Sequence, residues 1–428
     1  MKKVHWSSQL VFILACIGSA VGVGNIWRFP YLAAENGGGT FIAVYIFAIL
    51  LLGLPILLLE LLAGKALSTS PVKSFEKIKK GWVPLYYANF FLVILLFSYY
   101  VVITGWTLGY FTLSLGQATT PFSEFSQTYW PVLFTLIVMA LISVVMRVDI
   151  RKGLEKVNSF FTPLLYVLLL VLLFEAMQLP MFSKAMEYYT TIDTAKLMNP
   201  SFWLVVISQA IFSLSIGQGI MLAYGSYLSK KSNLGSSSIT IVSADTLASL
   251  LAAIIVFSIM FTYSISPNSG PSLSFEALPM AFSQMQFGDI LMPVFFLMLF
   301  AAAFTSAISL AEVVIANFQD MFKLSRRGAT TVCVGLITLL MFPSALSYSK
   351  MNLTIFGQRV LDVLDVSIVG RFLPLSTFLT VVYIAWGYKY LEKEAKANLP
   401  GWSVFPFLFL VRYIIPIFLF AISVAQFL

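Results

Sequence analysis

The chain has 428 residues, of which 59% are hydrophobic, 15% aromatic and only 10% charged, with a mean hydropathy of +0.92. Soluble globular domains carry about 25% charged residues, so a water-soluble fold is excluded. The net charge of +8 does not mark a nucleic-acid binder, because the basic residues are parcelled into alternate gaps between apolar runs.

Apolar stretches long enough to cross a bilayer, at about 20 residues per crossing, recur along the whole chain. They fall at 8–34, 40–64, 84–115, 130–147, 157–178, 202–228, 239–264, 289–320, 329–348, 358–388 and 402–427. The connecting loops are too short to fold alone, so residues 1–428 read as one all-α polytopic membrane domain of eleven transmembrane helices. Met1-Lys2-Lys3 before Leu10-Val11-Phe12-Ile13-Leu14-Ala15 imitates a secretory signal, but the segment that follows is too specialised for a cleavage site. The longer gaps 116–129, 179–201 and 265–288 are rich in Pro, Ser, Thr and Asn and have room for short helices. Cys16 and Cys333 each sit in an apolar run, which argues against a disulfide framework.

Of the 26 lysines and arginines, 19 lie before the first span or in every second gap: Lys2 and Lys3, five lysines at 65–80, four basic residues at 147–156, Lys230 and Lys231, three at 323–327, and Lys389, Lys393 and Lys396. This bias places the N-terminus in the cytoplasm. An odd number of spans then puts the C-terminus outside the cell membrane.

Two spans carry their own interruption. The first contains Gly18-Ser19-Ala20-Val21-Gly22-Val23-Gly24-Asn25, and the sixth contains Ser213-Leu214-Ser215-Ile216-Gly217-Gln218-Gly219. A glycine inside a helix costs about 1 kcal/mol, so this density favours unwinding. Backbone groups freed within a bilayer need protein, ion or water partners. The breaks are five spans apart, and an odd offset inverts the second copy. The chain therefore divides into a first repeat at about 8–178, a second at about 202–388 and an extra helix at about 402–427. Paired breaks in inverted halves point to a binding site near the midplane. Small residues one turn apart, such as Gly18 and Gly22, also serve plain helix packing. Half-helix ends offer amides to a carboxylate and carbonyls to a cation, and Asn25, Ser213, Asp245, Thr305 and Ser306 add oxygen ligands.

The run Ser19 to Pro30, with Gly22, Gly24, Asn25, Trp27 and Arg28, followed by Glu35-Asn36-Gly37-Gly38-Gly39, resembles the first-helix signature of the neurotransmitter:sodium symporters. Gly53-Leu54-Pro55 with Glu60, Gly105-Trp106-Thr107-Leu108-Gly109 and Gln209-Ala210-Ile211-Phe212-Ser213-Leu214-Ser215 extend the match across the chain, on the prokaryotic amino-acid transporter side of the family. The resemblance implies a 5+5 inverted-repeat fold with broken helices 1 and 6, and sodium-coupled symport of neutral amino acids by alternating access. A carrier of the same architecture coupled to protons, or moving another solute, is the alternative. An enzyme is disfavoured: no Gly-x-Ser-x-Gly elbow occurs, and His5 is the sole histidine.

Carried over by position, one Na⁺ site would use the backbone of Gly18 and Val21, the carbonyl of Ala302 and the hydroxyls of Thr305 and Ser306. A second would use the Ala20 carbonyl, Asn25, Ser213, Asp245 and the substrate carboxylate. That carboxylate would also meet the amides of Val23 and Gly24 and the hydroxyl of Tyr100. The side-chain pocket would be lined by Ala20, Val21, Leu96, Phe212, Ser215, Gln218, Ser306 and Leu310; taken singly, Leu96 and Leu310 read more readily as packing. Gly22 stands where the family's monoamine carriers place an aspartate, which leaves room for a substrate bringing its own carboxylate. Arg28 and Asp365 would close an external gate above Phe212. Lys3 and Asp320, with Trp6 and Tyr227, would close an internal one. Glu60 reads as a buried structural acceptor, and Glu312 has no role in this reading.

Chloride-dependent members hold the anion with a Tyr, a Gln, two Ser-type hydroxyls and an Asn. Tyr45, Gln209, Ser213 and Ser249 match all but the last, where Asp245 stands. Chloride-independent relatives usually carry an acid at the position of Ser249, one helical turn away and about 6 Å off. The fixed negative charge is thus expected to have moved one turn, removing a chloride requirement; a protonated Asp245 acting like an amide is the alternative.

Overall fold

The computed structural model describes residues 5–116, 120–229, 232–265 and 273–427. Lys2, Lys3, Lys230 and Lys231 of the charge pattern lie outside the described residues. Helices account for most of the described chain, and their bounds follow the apolar runs to within a few residues. In chain order they are α1 (Gln9–Ala20), α2 (Gly24–Glu35), α3 (Gly39–Leu67), α4 (Lys80–Leu115), α5 (Trp130–Met146), α6 (Leu154–Ala176), α7 (Pro200–Ser213), α8 (Ile220–Ser226), α9 (Leu234–Tyr263), α10 (Gly288–Phe322), α11 (Arg326–Ser347), α12 (Val360–Gly387) and α13 (Gly401–Ala425).

Among the described residues, eight of these are long and apolar enough to cross a membrane, or nine when α1 and α2, bent by 52° at their break, are taken as one span. α5 and α7 are apolar but shorter, at 17 and 14 residues.

Polar side chains start the helices where the sequence supplies them. Ser8 caps α1 through the Val11 amide at 3.2 Å, Asn199 caps α7 through Ser201 at 3.0 Å, and Asn233 caps α9 through Ser236 at 3.2 Å. Each satisfies an amide that the first helical turn leaves unpaired. Short helices fill the longer gaps, including Phe122–Ser126, Phe182–Thr190 and Leu278–Phe282.

One departure from an all-helical chain stands at the start of the tenth span. Thr354–Ile355 pairs antiparallel with Gln358–Arg359, across Phe356 and Gly357, whose φ values are 54° and 77°. Two consecutive positive-φ residues make a tight hairpin turn, so helix α12 begins at Val360 rather than at 358.

α4 and α10 pack side by side at the centre of the bundle. Their apolar windows are 83% and 89% buried, against 33% for α6. Both breaks lie against this pair, which is what positions the site.

Candidate functional site

Between α7 and α8 the chain leaves helical geometry, with φ of 53° at Ser215, 76° at Gly217 and 78° at Gly219. Side chains from three other helices satisfy the freed backbone. Glu60 Oε1 accepts the Gly217 amide at 2.7 Å, and the Gly217 carbonyl accepts from Asn89 Nδ2 at 3.0 Å and Ser376 Oγ at 3.3 Å. Glycine is required at 217 twice over: its φ is left-handed, and a Cβ there would sit 2.0 Å from Thr377 Oγ1.

The first break, Val21–Val23 between α1 and α2, is closed by its own neighbours. The Gly22 amide donates to Asn25 Oδ1 at 3.1 Å, and the Val23 amide to Tyr100 Oη at 3.4 Å. A Cβ on Gly22 would lie 2.7 Å from Ser306 Oγ and 2.9 Å from Tyr100 Oη, so the backbone itself forms this wall. The two breaks touch: Ser215 Oγ donates to the Ser19 carbonyl at 2.9 Å.

A narrow cavity of about 30 Å³ opens where they meet. Ala20, Gly24 and Asn25 contribute from the first break, Phe212, Ser215 and Gln218 from the second, Leu96 and Tyr100 from α4, and Ser306 and Leu310 from α10. Leu96 and Leu310 are thus cavity walls as well as packing residues. Val21 and Val23 are buried in the break without lining this space. Ser19 and Ile220 also line it and were not anticipated. Ser19 acts through its carbonyl, which residue type cannot reveal, whereas Ile220 sits two residues beyond Gln218 at the start of α8. The N-terminus of α2 and the C-termini of α1 and α7 converge here, giving positive and negative dipole ends within one pocket.

Two oxygen clusters flank the cavity. On the α1–α10 side, the single hydroxyl hydrogen of Ser306 has the carbonyls of Ser19 at 3.0 Å, Ala302 at 3.1 Å and Gly18 at 3.5 Å as possible acceptors. Thr305 Oγ1 donates to the Ala301 carbonyl at 2.9 Å. Hydroxyl hydrogens held on backbone carbonyls leave the oxygen lone pairs free to face a cation.

On the other side, Asp245 is fully buried. Its Oδ1 accepts from Asn25 Nδ2 at 2.8 Å; its Oδ2 accepts from Ser213 Oγ at 2.8 Å and Tyr45 Oη at 3.4 Å. Ser249 Oγ lies 2.8 Å from Asn25 Nδ2, and Gln209 Nε2 donates to the Gly24 carbonyl at 2.9 Å. Of the four residues expected to frame an anion, Tyr45 and Ser213 donate to this carboxylate, whereas Ser249 and Gln209 bond Asn25 and the Gly24 carbonyl. None of the ion pairs among the described residues involves Asp245, and a buried carboxylate without a counter-charge is costly. Among the described residues no three His, Cys, Asp or Glu side chains gather as metal ligands. Carbonyl, hydroxyl and amide oxygens with one carboxylate suit a hard cation such as Na⁺ rather than a transition metal.

None of the described residues expected to gate the path lines this cavity. Arg28 lies over the Phe212 ring at 5.0 Å, while Asp365 Oδ1 accepts from Tyr99 Oη at 2.8 Å. Among the described residues no ion pair within 4.0 Å joins Arg28 to Asp365. Near the start of α1, Trp6 Nε1 donates to the Tyr224 carbonyl at 2.9 Å, and the Trp6 ring packs on Tyr227 at 6.1 Å. Asp320 pairs with Lys73 at 3.3 Å; its expected partner Lys3 lies outside the described residues. Glu312, which sequence reasoning left without a role, accepts both terminal nitrogens of Arg326 at 3.2 and 2.8 Å and the Tyr227 hydroxyl at 2.7 Å. The signal was present as an acid in an apolar span, which usually marks a buried partner.

Comparison with known proteins bears on the family and the fold. The model of the Sodium:neurotransmitter symporter family matches residues 3–131 and 117–428. An uncharacterized sodium-dependent transporter of Methanocaldococcus jannaschii is 34% identical over 90% of this chain and 82% of its own length. The Bacillus subtilis sodium-dependent transporter YhdH is 30% identical over 97% of this chain and 96% of its own. Among solved structures, MhsT in complex with L-phenylalanine is 34% identical and superposes with a TM-score of 0.91 over 99% of this chain and 100% of that one.

Proposed function

The chain belongs to the Sodium:neurotransmitter symporter family, and from that premise we propose that it takes up neutral amino acids together with Na⁺ by alternating access. It is a multi-pass membrane transporter of the sodium-dependent class. The proposed architecture has eleven spans, counting α1–α2 and α7–α8 as one broken span each, arranged as 5+5 inverted repeats plus α13. The proposed setting is the cell membrane, with the N-terminus in the cytoplasm and the C-terminus outside.

The observation that carries this reading is the meeting of two helix breaks around one cavity with an oxygen cluster on either side. A zwitterion fits such a place. Its carboxylate is drawn to the amides of Val23 and Gly24 at the start of α2, beside the Tyr100 hydroxyl. Its ammonium is drawn to the carbonyl ends of α1 and α7. The ligand bound to MhsT, L-phenylalanine, belongs to the same chemical class. One Na⁺ would lie between Gly18, Val21, Ala302, Thr305 and Ser306. The other would lie by Ala20, Asn25, Ser213 and Asp245, where the carboxylate supplies the neutralising charge and chloride is not required. Each charge crossing about 100 mV gains about 2.3 kcal/mol, so two Na⁺ suffice to drive a neutral solute uphill. Arg28 with Asp365, and Asp320 with Lys3, Trp6 and Tyr227, would close the path in turn.

Uptake of labelled neutral amino acids into proteoliposomes, with and without an inward Na⁺ gradient, tests the proposal. Accumulation should appear only with the gradient. Accumulation that instead follows a proton gradient in the absence of Na⁺ would overturn it.

A further inference from the structure

One polar side chain of the central cavity is not engaged by the protein. Gln218 stands in the break between α7 and α8, is only 4% exposed and lines the space where the two breaks meet. Among the described residues neither atom of its carboxamide has a hydrogen-bond partner, and neither is sealed off from open space. A carboxamide offers two donor hydrogens and an acceptor oxygen, and burying them unpaired is unfavourable. An occupant of this cavity that can pair with Gln218 gains what the protein leaves unmade.

The neighbouring polar groups are already committed. Ser215 Oγ donates to the Ser19 carbonyl at 2.9 Å, Ser306 Oγ has carbonyl acceptors within reach, and Asn25 Nδ2 lies 2.8 Å from both Ser213 Oγ and Asp245 Oδ1. Leu96, Phe212, Ile220 and Leu310 supply apolar wall, and no charged side chain lines the space. An ionised cargo side chain would therefore be buried without a counter-charge, and an aliphatic one would leave Gln218 unpaired. A hydroxyl both donates and accepts, so it can give its hydrogen to Oε1 or take one from Nε2. Size points the same way. About 30 Å³ holds roughly two water molecules, so a short side chain needs the least widening.

On the transport reading above, on which this inference rests, we propose that the preferred substrate is a neutral amino acid with a short hydroxyl-bearing side chain, L-serine or L-threonine. Gln218 is the specificity-determining residue that pairs with that hydroxyl.

The test measures binding to the purified full chain by isothermal titration calorimetry, in Na⁺ and in choline. The panel is L-threonine, L-valine, L-serine, L-alanine, L-leucine and L-phenylalanine. Threonine and valine share a shape and differ by a hydroxyl in place of a methyl. A pocket that offers the hydroxyl no partner favours valine, because nothing repays the water stripped from threonine; a threonine preference therefore reports a hydrogen bond. In Na⁺, threonine should bind at least tenfold tighter than valine, and serine at least tenfold tighter than alanine. Gln218→Leu should bring threonine level with valine or below it. Should that variant fail to fold, the threonine–valine ratio of the unmodified protein decides. Valine binding as tightly as threonine, a threonine preference that survives Gln218→Leu, or binding confined to leucine and phenylalanine would each overturn this proposal while leaving the transport reading intact. No Na⁺-dependent binding by any of the six would overturn both.

Discussion

Glu60 Oε1 receives the Gly217 amide at 2.7 Å, so a carboxylate on α3 completes the backbone of a break in another span. Removing the acceptor strands a buried amide, at a cost of about 1–3 kcal/mol. Glu60→Leu should lower the melting temperature of the detergent-solubilised protein and abolish uptake. Glu60→Gln keeps an acceptor oxygen and should hold most of the stability. Equal melting temperatures for Leu, Gln and the unmodified protein would show that the break does not depend on this bond.

The Na⁺ assignment on the α1–α10 side rests on two hydroxyls whose hydrogens are already engaged by carbonyls. Thr305→Ala combined with Ser306→Ala should raise the half-saturating Na⁺ concentration at least tenfold while the protein still folds. An unchanged sodium titration of uptake would remove the site.

Asp245 takes hydrogen bonds from Tyr45 and Ser213, two of the four residues that would otherwise frame an anion. Two cations close together repel in a poorly screened site, and a carboxylate placed between them replaces a bound anion. Uptake should therefore be equal in chloride and gluconate, whereas Asp245→Asn should lose activity or acquire a chloride requirement. Collapse of the unmodified protein's uptake in gluconate is the outcome that sinks the idea.

Gly22 presents bare backbone to the cavity between Ser306 and Tyr100. Gly22→Ala would force both hydroxyls aside by several tenths of an ångström. We expect apparent substrate affinity to fall at least tenfold with little loss of thermal stability, as read by competition binding. Retained affinity would mean that the carboxylate end of the substrate lies elsewhere.

Glu312 is fully buried and paired with an Arg326 side chain only 13% exposed. Breaking one side of such a pair costs about 3–5 kcal/mol. Glu312→Gln should destabilise the protein markedly, and Glu312→Gln with Arg326→Gln should recover part of the loss. If the double variant is no better than the single one, the pair is not an energetic unit.

The span positions and both breaks were legible because the bilayer imposes a length and the glycines impose a conformation. Of the side chains that the family motif assigns to a pocket, Leu96, Phe212, Ser215, Gln218, Ser306 and Leu310 line the cavity and Val21 does not. What was not legible came from backbone and from distant partners. The Ser19 carbonyl, the Asn89–Gly217 bond and the Glu312–Arg326 pair all join residues whose local sequence says nothing about who will face them. Likewise Asp365 was read as the partner of Arg28, yet here it accepts the hydroxyl of Tyr99, a residue that stands beside Tyr100 in an otherwise unremarkable aromatic run.

The carbonyl of Ser19 takes the Ser215 hydroxyl at 2.9 Å and the Ser306 hydroxyl at 3.0 Å. A carbonyl oxygen has two lone pairs, and this one has a donor within reach on each side, Ser215 of the second break and Ser306 of the proposed ion site, whose hydroxyl also lies 3.1 Å from the Ala302 carbonyl. On the proposed function this carbonyl would work as a coincidence detector. Anything that draws Ser306 toward a cation, or Ser215 toward a cargo side chain, would alter the same atom, and coupling of ion and solute would need no signal relayed across the bundle.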